Sequence, residues 1–160
     1  MTIDPVLIPP GKGSAYWVTG DLYTFKAVSK DTGEAYTLME LVIQPNGGAP
    51  PHIHTQEDEA FYIQEGELKF QLDEQIIVAT PGTFLHSPKG QIHSFTNIGT
   101  TPAKVLCWNT PAGLENFFAE VGKPVQHTDS EPPLVSAADI EKLLATAPKY
   151  GLEIIPPPST

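Results

Sequence analysis

Between Asn46 and Asn97 the chain places His52 and His54 two residues apart, Glu59 shortly after them, and His93 beyond a Pro88-x-Gly90 bend. This spacing constrains the fold more than any other property of the chain, because it is intelligible only on extended backbone. Alternate residues of a strand share a face, so His52 and His54 point the same way, and Glu59, Phe61 and Ile63 share one face of the next strand. Gly66 turns the chain into residues 67–72, whose strict alternation puts Leu68, Phe70 and Leu72 inside. Pro88 and Gly90 bend it again before His93-Ser94-Phe95, returning the third imidazole to the first two. Imidazole and carboxylate together suit a divalent transition ion such as Zn, Ni, Fe, Co, Mn or Cu, and four such ligands leave positions for water or substrate. The expected metal ligands are therefore His52, His54, Glu59 and His93. His86 and His127 fall outside this spacing and read as surface or hydrogen-bonded core residues.

The same period recurs along most of the chain. Residues 15–18, 21–28, 36–44, 75–79 and 103–109 read as strands rich in aromatic and β-branched side chains, with turns at Gly20, Lys30-Asp31-Thr32-Gly33, Pro45-Asn46-Gly47, Pro81-Gly82 and Gly99. Short strands roughly ten residues apart, without helices between them, indicate an antiparallel barrel or sandwich. After Pro111 the period changes. Leu114, Phe117, Phe118 and Val121 form a helical stripe ended by Gly122; Ser136-Ala137-Ala138-Asp139 then opens a second helix carrying Ile140, Leu143 and Leu144 and ended by Pro148. The expectation is an all-β protein: residues 1–112 form the barrel, with a Pro- and Gly-rich arm over the first 13, and residues 113–160 form a helical tail packed on its outside. A sharper alternative makes the Phe117-Phe118 helix a lid over the pocket mouth. Pro156-Pro157-Pro158 reads as a stiff terminal segment.

Charge and cysteine content narrow the partners. The 160 residues carry a formal net charge of −10, which argues against nucleic acid and anionic membranes, since both require a basic patch. All nine cationic residues are lysines, with no arginine; the usual bidentate clamp for a carboxylate or phosphate substrate is missing. Cys107 is alone, which excludes an internal disulfide and suits a reducing compartment, where it reads as a small apolar strand residue. The chain opens without a basic segment followed by an apolar run and contains no apolar stretch of membrane-spanning length. A cytoplasmic location is expected.

The histidine-bearing stretch resembles the two motifs of the cupin family, G-x5-H-x-H-x3,4-E-x6-G and G-x5-P-x-G-x2-H-x3-N. The second is matched throughout by Gly82, Pro88, Gly90, His93 and Asn97; the first is matched by His52, His54, Glu59 and Gly66, with Asn46 where the family glycine falls. Asn tolerates a positive φ better than most residues, so the substitution should leave the turn intact. The resemblance implies a single cupin jelly-roll β-barrel and a homodimer. Residues 16–26 and 113–122 are further similar to small bacterial cupins of the flavonol (quercetin) 2,3-dioxygenase kind. This implies a small phenolic substrate and O2 as partners, with Glu59 serving as catalytic base as well as ligand. Phe61, Ile63, Phe70 and Phe95 are then expected to line an apolar pocket for a flat, uncharged substrate. The alternatives are a metal-dependent isomerase, a dioxygenase for another small substrate, and a cupin that binds a small molecule without transforming it.

Overall fold

The computed structural model describes residues 3–125, 131–157 and 159. Its strands are β1 (Ala15–Val18), β2 (Asp21–Ala27), β3 (Thr37–Ile43), β4 (Gly48–His54), β5 (Asp58–Glu65), β6 (Leu68–Leu72), β7 (Gln75–Ala79), β8 (Phe84–Ser87), β9 (His93–Asn97), β10 (Ala103–Thr110), β11 (Lys123–Pro124) and β12 (Leu152–Ile154). They pair antiparallel in two sheets, one in the order β11-β1-β2-β3-β10-β5-β8 and the other in the order β12-β4-β9-β6-β7. This is a jelly roll, realised as two sheets packed on one core. Among the described residues no ladder joins them into a continuously bonded barrel.

Alternation explains the core. On β3 every second residue from Thr37 to Ile43 is buried, and β10 repeats the pattern. Met39, Leu41, Ile43, Phe61, Ile63, Leu68, Phe70 and Val105 are almost wholly inaccessible, and a side chain of this kind contributes roughly 1.5–3 kcal/mol on full burial. The Phe61, Phe70 and Phe95 rings lie with centroids 5.0–5.4 Å apart, inside the range of favourable aromatic pairs.

The tail is less purely helical than expected. Helix α2 (Leu114–Val121) follows the predicted stripe and buries Leu114, Phe117 and Val121. Beyond it, β11 adds to one sheet by pairing with β1, and β12 adds to the other by pairing with β4. The second tail helix, Ala137–Thr146, opens on the Ser136 cap, whose hydroxyl accepts from the Asp139 N–H. Its stripe does not pack as expected: Leu143 reaches the core, but Ile140 and Leu144 are 40% and 49% exposed. A helical turn, α1 (Ser29–Thr32), also stands where a plain turn was expected, closed by Gly33 at φ 61°. The expectations for His127 and for the full Pro156–Pro158 run involve residues outside those described.

Two features aim the strand that bears His52 and His54. Asn46 adopts φ 64° at the turn between β3 and β4, supplying the left-handed backbone that glycine would otherwise provide. The buried Asp21 carboxylate accepts the Gln44 and Gly48 N–H groups at 2.8 and 2.9 Å, so it fixes both ends of that turn.

Candidate metal centre

His52 and His54 project from the end of β4, His93 from the start of β9 directly opposite His52, and Glu59 from β5 in the other sheet. Their ligand atoms lie within 4.8 Å of one another. His52 Nε2 is 3.1 Å from His54 Nε2, and Glu59 Oε2 is 3.1 Å from His54 Nε2 and 2.7 Å from His93 Nε2. Two donors each about 2.1 Å from one ion, at right angles to each other, stand roughly 3.0 Å apart. The observed separations therefore match neighbouring positions around a single small cation.

The outer nitrogens decide the tautomers. His52 Nδ1 faces the Pro50 carbonyl at 2.7 Å, an acceptor only, so it carries the proton. Ser87 Oγ donates to Gln91 Oε1 at 3.1 Å, which leaves it to accept from His93 Nδ1 at 3.1 Å. His54 Nδ1 faces Glu57 Oε2 at 3.5 Å, too long for a good hydrogen bond, and neither buried atom has another partner. In their neutral forms all three imidazoles thus turn Nε2 lone pairs toward one carboxylate oxygen. That arrangement is repulsive until a cation or extra protons enter it, and outer-nitrogen acceptors of this kind are the usual support of metal-bound histidine. The chemistry of the donor set fits a divalent ion.

Electrostatics agree with this reading. Burial disfavours a charged His54, but the Glu59 and Glu57 carboxylates outweigh it and push the imidazole up to about 9. Burial and the neighbouring His93 lower His52 to about 4. Burial opposes the Glu59 charge, yet His54 and His93 hold its carboxyl well below the usual range. Its second oxygen, Oε1, accepts from Asn109 Nδ2 at 3.0 Å and from Cys107 Sγ at 3.2 Å. Glu59 is therefore gripped at one oxygen and offers the other.

A cavity of about 70 Å³ opens beside the cluster. Phe61 and Phe95 line it, as expected; Ile63 and Phe70 are wholly buried in the core and are not among its lining residues. The far wall comes from Tyr23 on β2, Leu143, Leu152 and Ile154, whose roles were not read from the sequence, and from Phe117 and Phe118 of α2, for which a lid was the alternative reading. The Phe117-Phe118 helix thus forms part of the cavity wall. No lysine is among its lining residues. His86 lies on β8 with its side chain half exposed, 3.9 Å from Asp58 and apart from the cluster. Cys107 and Asn109 had a signal that could have been used. Both fall on the inward parity of β10, and an inward Asn in an alternating strand asks for a buried partner.

Residues 39–109 match the family described as "Cupin domain". The match takes in a little under half of the chain; the fold is that of a cupin, and the matched segment holds His52, His54, Glu59 and His93 on β4, β5 and β9. It is 26% identical over 122 residues to a quercetin 2,3-dioxygenase of Bacillus subtilis, a match covering 76% of this chain and 36% of that protein. It is also 28% identical over 134 residues to a quercetin 2,3-dioxygenase of Aspergillus japonicus, covering 78% and 37% respectively. The chain thus spans little more than a third of the length of these relatives. Among solved structures, KdgF from Halomonas sp. superposes with a TM-score of 0.62 at 14% identity, over 71% of this chain and 98% of that one; this is a likeness of fold.

Proposed function

We propose that this protein is a metal-dependent dioxygenase that cleaves a flavonol or related phenol with O2. The observation that carries the reading is the way Glu59 is held: Oε1 is fixed by Asn109 and Cys107, while Oε2 stands among the three Nε2 atoms at the edge of an apolar cavity. His52, His54, Glu59 and His93 would hold one divalent transition ion, which supplies Lewis acidity toward oxygen ligands when bound. The chain's own contribution is then positional and protolytic. Phe61, Phe95, Phe117 and Phe118 exclude water and hold an aromatic face, and Glu59 Oε2 accepts the proton of the substrate hydroxyl. The anion left by that transfer is electron-rich enough to react with O2, and for a flavonol the products are the ring-opened ester and carbon monoxide. Similarity to two quercetin 2,3-dioxygenases supports the substrate class.

The test separates binding from turnover. Glu59→Gln keeps the size of the side chain but removes its basicity, so it should retain much of the metal and lose roughly 10²- to 10⁴-fold in oxygen uptake with flavonols. Equal turnover at equal metal content would assign the proton to another group. His52→Ala/His54→Ala should lose the metal, whereas His86→Ala should keep it, both read by metal analysis.

Cavity size favours a second reading. At about 70 Å³ the space is well below the roughly 300–1,000 Å³ of pockets that hold drug-sized ligands, so a flavonol enters only if the tail side chains move. A smaller phenol or enol, oxidised, isomerised or merely bound, needs less displacement. Oxygen uptake coupled to substrate loss separates an oxygenase from a binding protein or an isomerase.

A further inference from the structure

Tyr23 is the one phenol on the cavity wall. It lies on the inward parity of β2 beside Asp21 and Phe25, and its residue is only 6% exposed. Its ring packs on Phe118 with centroids 4.6 Å apart, which holds it in place. A buried hydroxyl normally finds a partner. Among the described residues Tyr23 Oη has none. The sealed polar atoms without a partner are His54 Nδ1, Glu57 Oε2 and Asn109 Oδ1, and Tyr23 Oη is not one of them; Tyr23 is one of the residues that line the cavity.

We propose that the Tyr23 hydroxyl is the positioning donor of this site, hydrogen-bonding a second oxygen of a substrate whose first hydroxyl faces Glu59. The inference rests on the reading of the cavity as a substrate site. It adds a specificity rule: the preferred ligand carries two oxygens, a hydroxyl for Glu59 and an acceptor for Tyr23, on an otherwise apolar aromatic frame. The phenol is suited to donate and not to ionise, because burial raises its proton affinity and the nearby Asp21, Cys107 and Glu59 groups reinforce this. Phe117, Phe118, Leu143, Leu152 and Ile154 offer no side-chain donor, and Thr19 carries the one other hydroxyl among the lining residues. Tyr23 lies outside the segment that matches the family, residues 39–109.

Tyr23→Phe isolates the hydroxyl, because the ring and its contact with Phe118 are kept. Dissociation constants for quercetin and for catechol are measured by calorimetry on the metal-loaded wild type and variant, together with metal content and the thermal midpoint without ligand. The expected result is affinity weakened roughly 2- to 12-fold for whichever probe binds, the range of one neutral hydrogen bond. Metal content should be equal and the midpoint unchanged or raised, since no protein partner is lost. Weakened binding accompanied by a lowered midpoint would show a structural hydroxyl and overturn the proposal. So would equal affinity in the two proteins, which leaves the metal site and the substrate cavity standing. Wild-type protein that binds neither probe overturns the proposal together with the reading beneath it.

Discussion

Asp21 shows how far one residue reaches from outside the metal cluster. Burial raises its carboxyl from the ordinary 3.8 to about 6, and the Gln44 and Gly48 N–H groups only partly offset this. Because the folded value lies above the unfolded one, the folded state keeps this proton longer as pH rises, and stability falls through the window from 3.8 to about 6. Asp21→Asn cannot ionise and should lose that slope. The stability difference between wild type and Asp21→Asn should shift by about 2 kcal/mol between pH 4 and pH 7, in the direction that disfavours wild type at the higher pH; urea denaturation at the two values checks it. Legibility at this scale followed chemistry. His52, His54, Glu59 and His93 could be read because packing alone does not call for four metal-type ligands at strand spacing, and Asn46 because a turn there needs a positive φ. Tyr23 could not, since it is an ordinary strand residue until its neighbours on other strands are known. Ile63 and Phe70 show the converse: parity places a residue inside, but depth decides whether it meets a cavity or other side chains.

Helix α2 is fastened by a residue that its apolar stripe does not include. Glu115 is 7% exposed and accepts from the Ser29 N–H at 2.8 Å, from its own helix's preceding Gly113 N–H at 2.9 Å, and from the hydroxyls of Ser29 and Thr37. One carboxylate thus ties α2 to the first helical turn and to β3. Burial opposes its charge, but these donors win and hold it below the usual carboxylate range, so its support is present at neutral pH and is lost as pH falls through the lowered value. Glu115→Ala leaves several buried donors unpaired and should cost about 3 kcal/mol, with Glu115→Gln recovering part; equilibrium denaturation measures both. Elements were readable where a pattern ran long enough to repeat. The long strands and both tail helices met that condition, whereas β11 and β12, at two and three residues, exist only because a partner strand lies beside them. β8 was missed because an edge strand with Phe84 56% exposed breaks the rule that apolar residues face inward. The Ile140 and Leu144 positions misled in the same way, as a helical stripe states periodicity and not the presence of something to cover it.

Across the whole molecule, the cavity joins parts distant in sequence: β4 and β5 bring the ligands, β2 brings Tyr23, and the tail closes the far side. Pairing of two copies is also expected, and the outer surface where Phe84 stacks on Trp108, 5.9 Å between centroids, beside the 40% exposed Tyr62 offers apolar area for it. Sedimentation at micromolar concentration should give twice the chain mass, and Phe84→Glu should shift it toward the single chain. Among the described residues no helix is long and apolar enough to cross a membrane. The last strand has another effect. β12 runs along β4 with Leu152 opposite His54 and Ile154 opposite His52, and Thr55 donates through both its N–H and its hydroxyl to the Gly151 carbonyl. It therefore occupies the free margin of the strand that carries two of the four ligands, and it is itself too short, with Pro156 and Pro157 close behind, to template another chain. Deleting residues 151–160 should leave an uncovered row of backbone donors and acceptors on β4, the kind of margin that recruits a second strand. The shortened protein should form concentration-dependent aggregates in light scattering and bind its metal more weakly, so that β12 guards solubility and the ligand strand together.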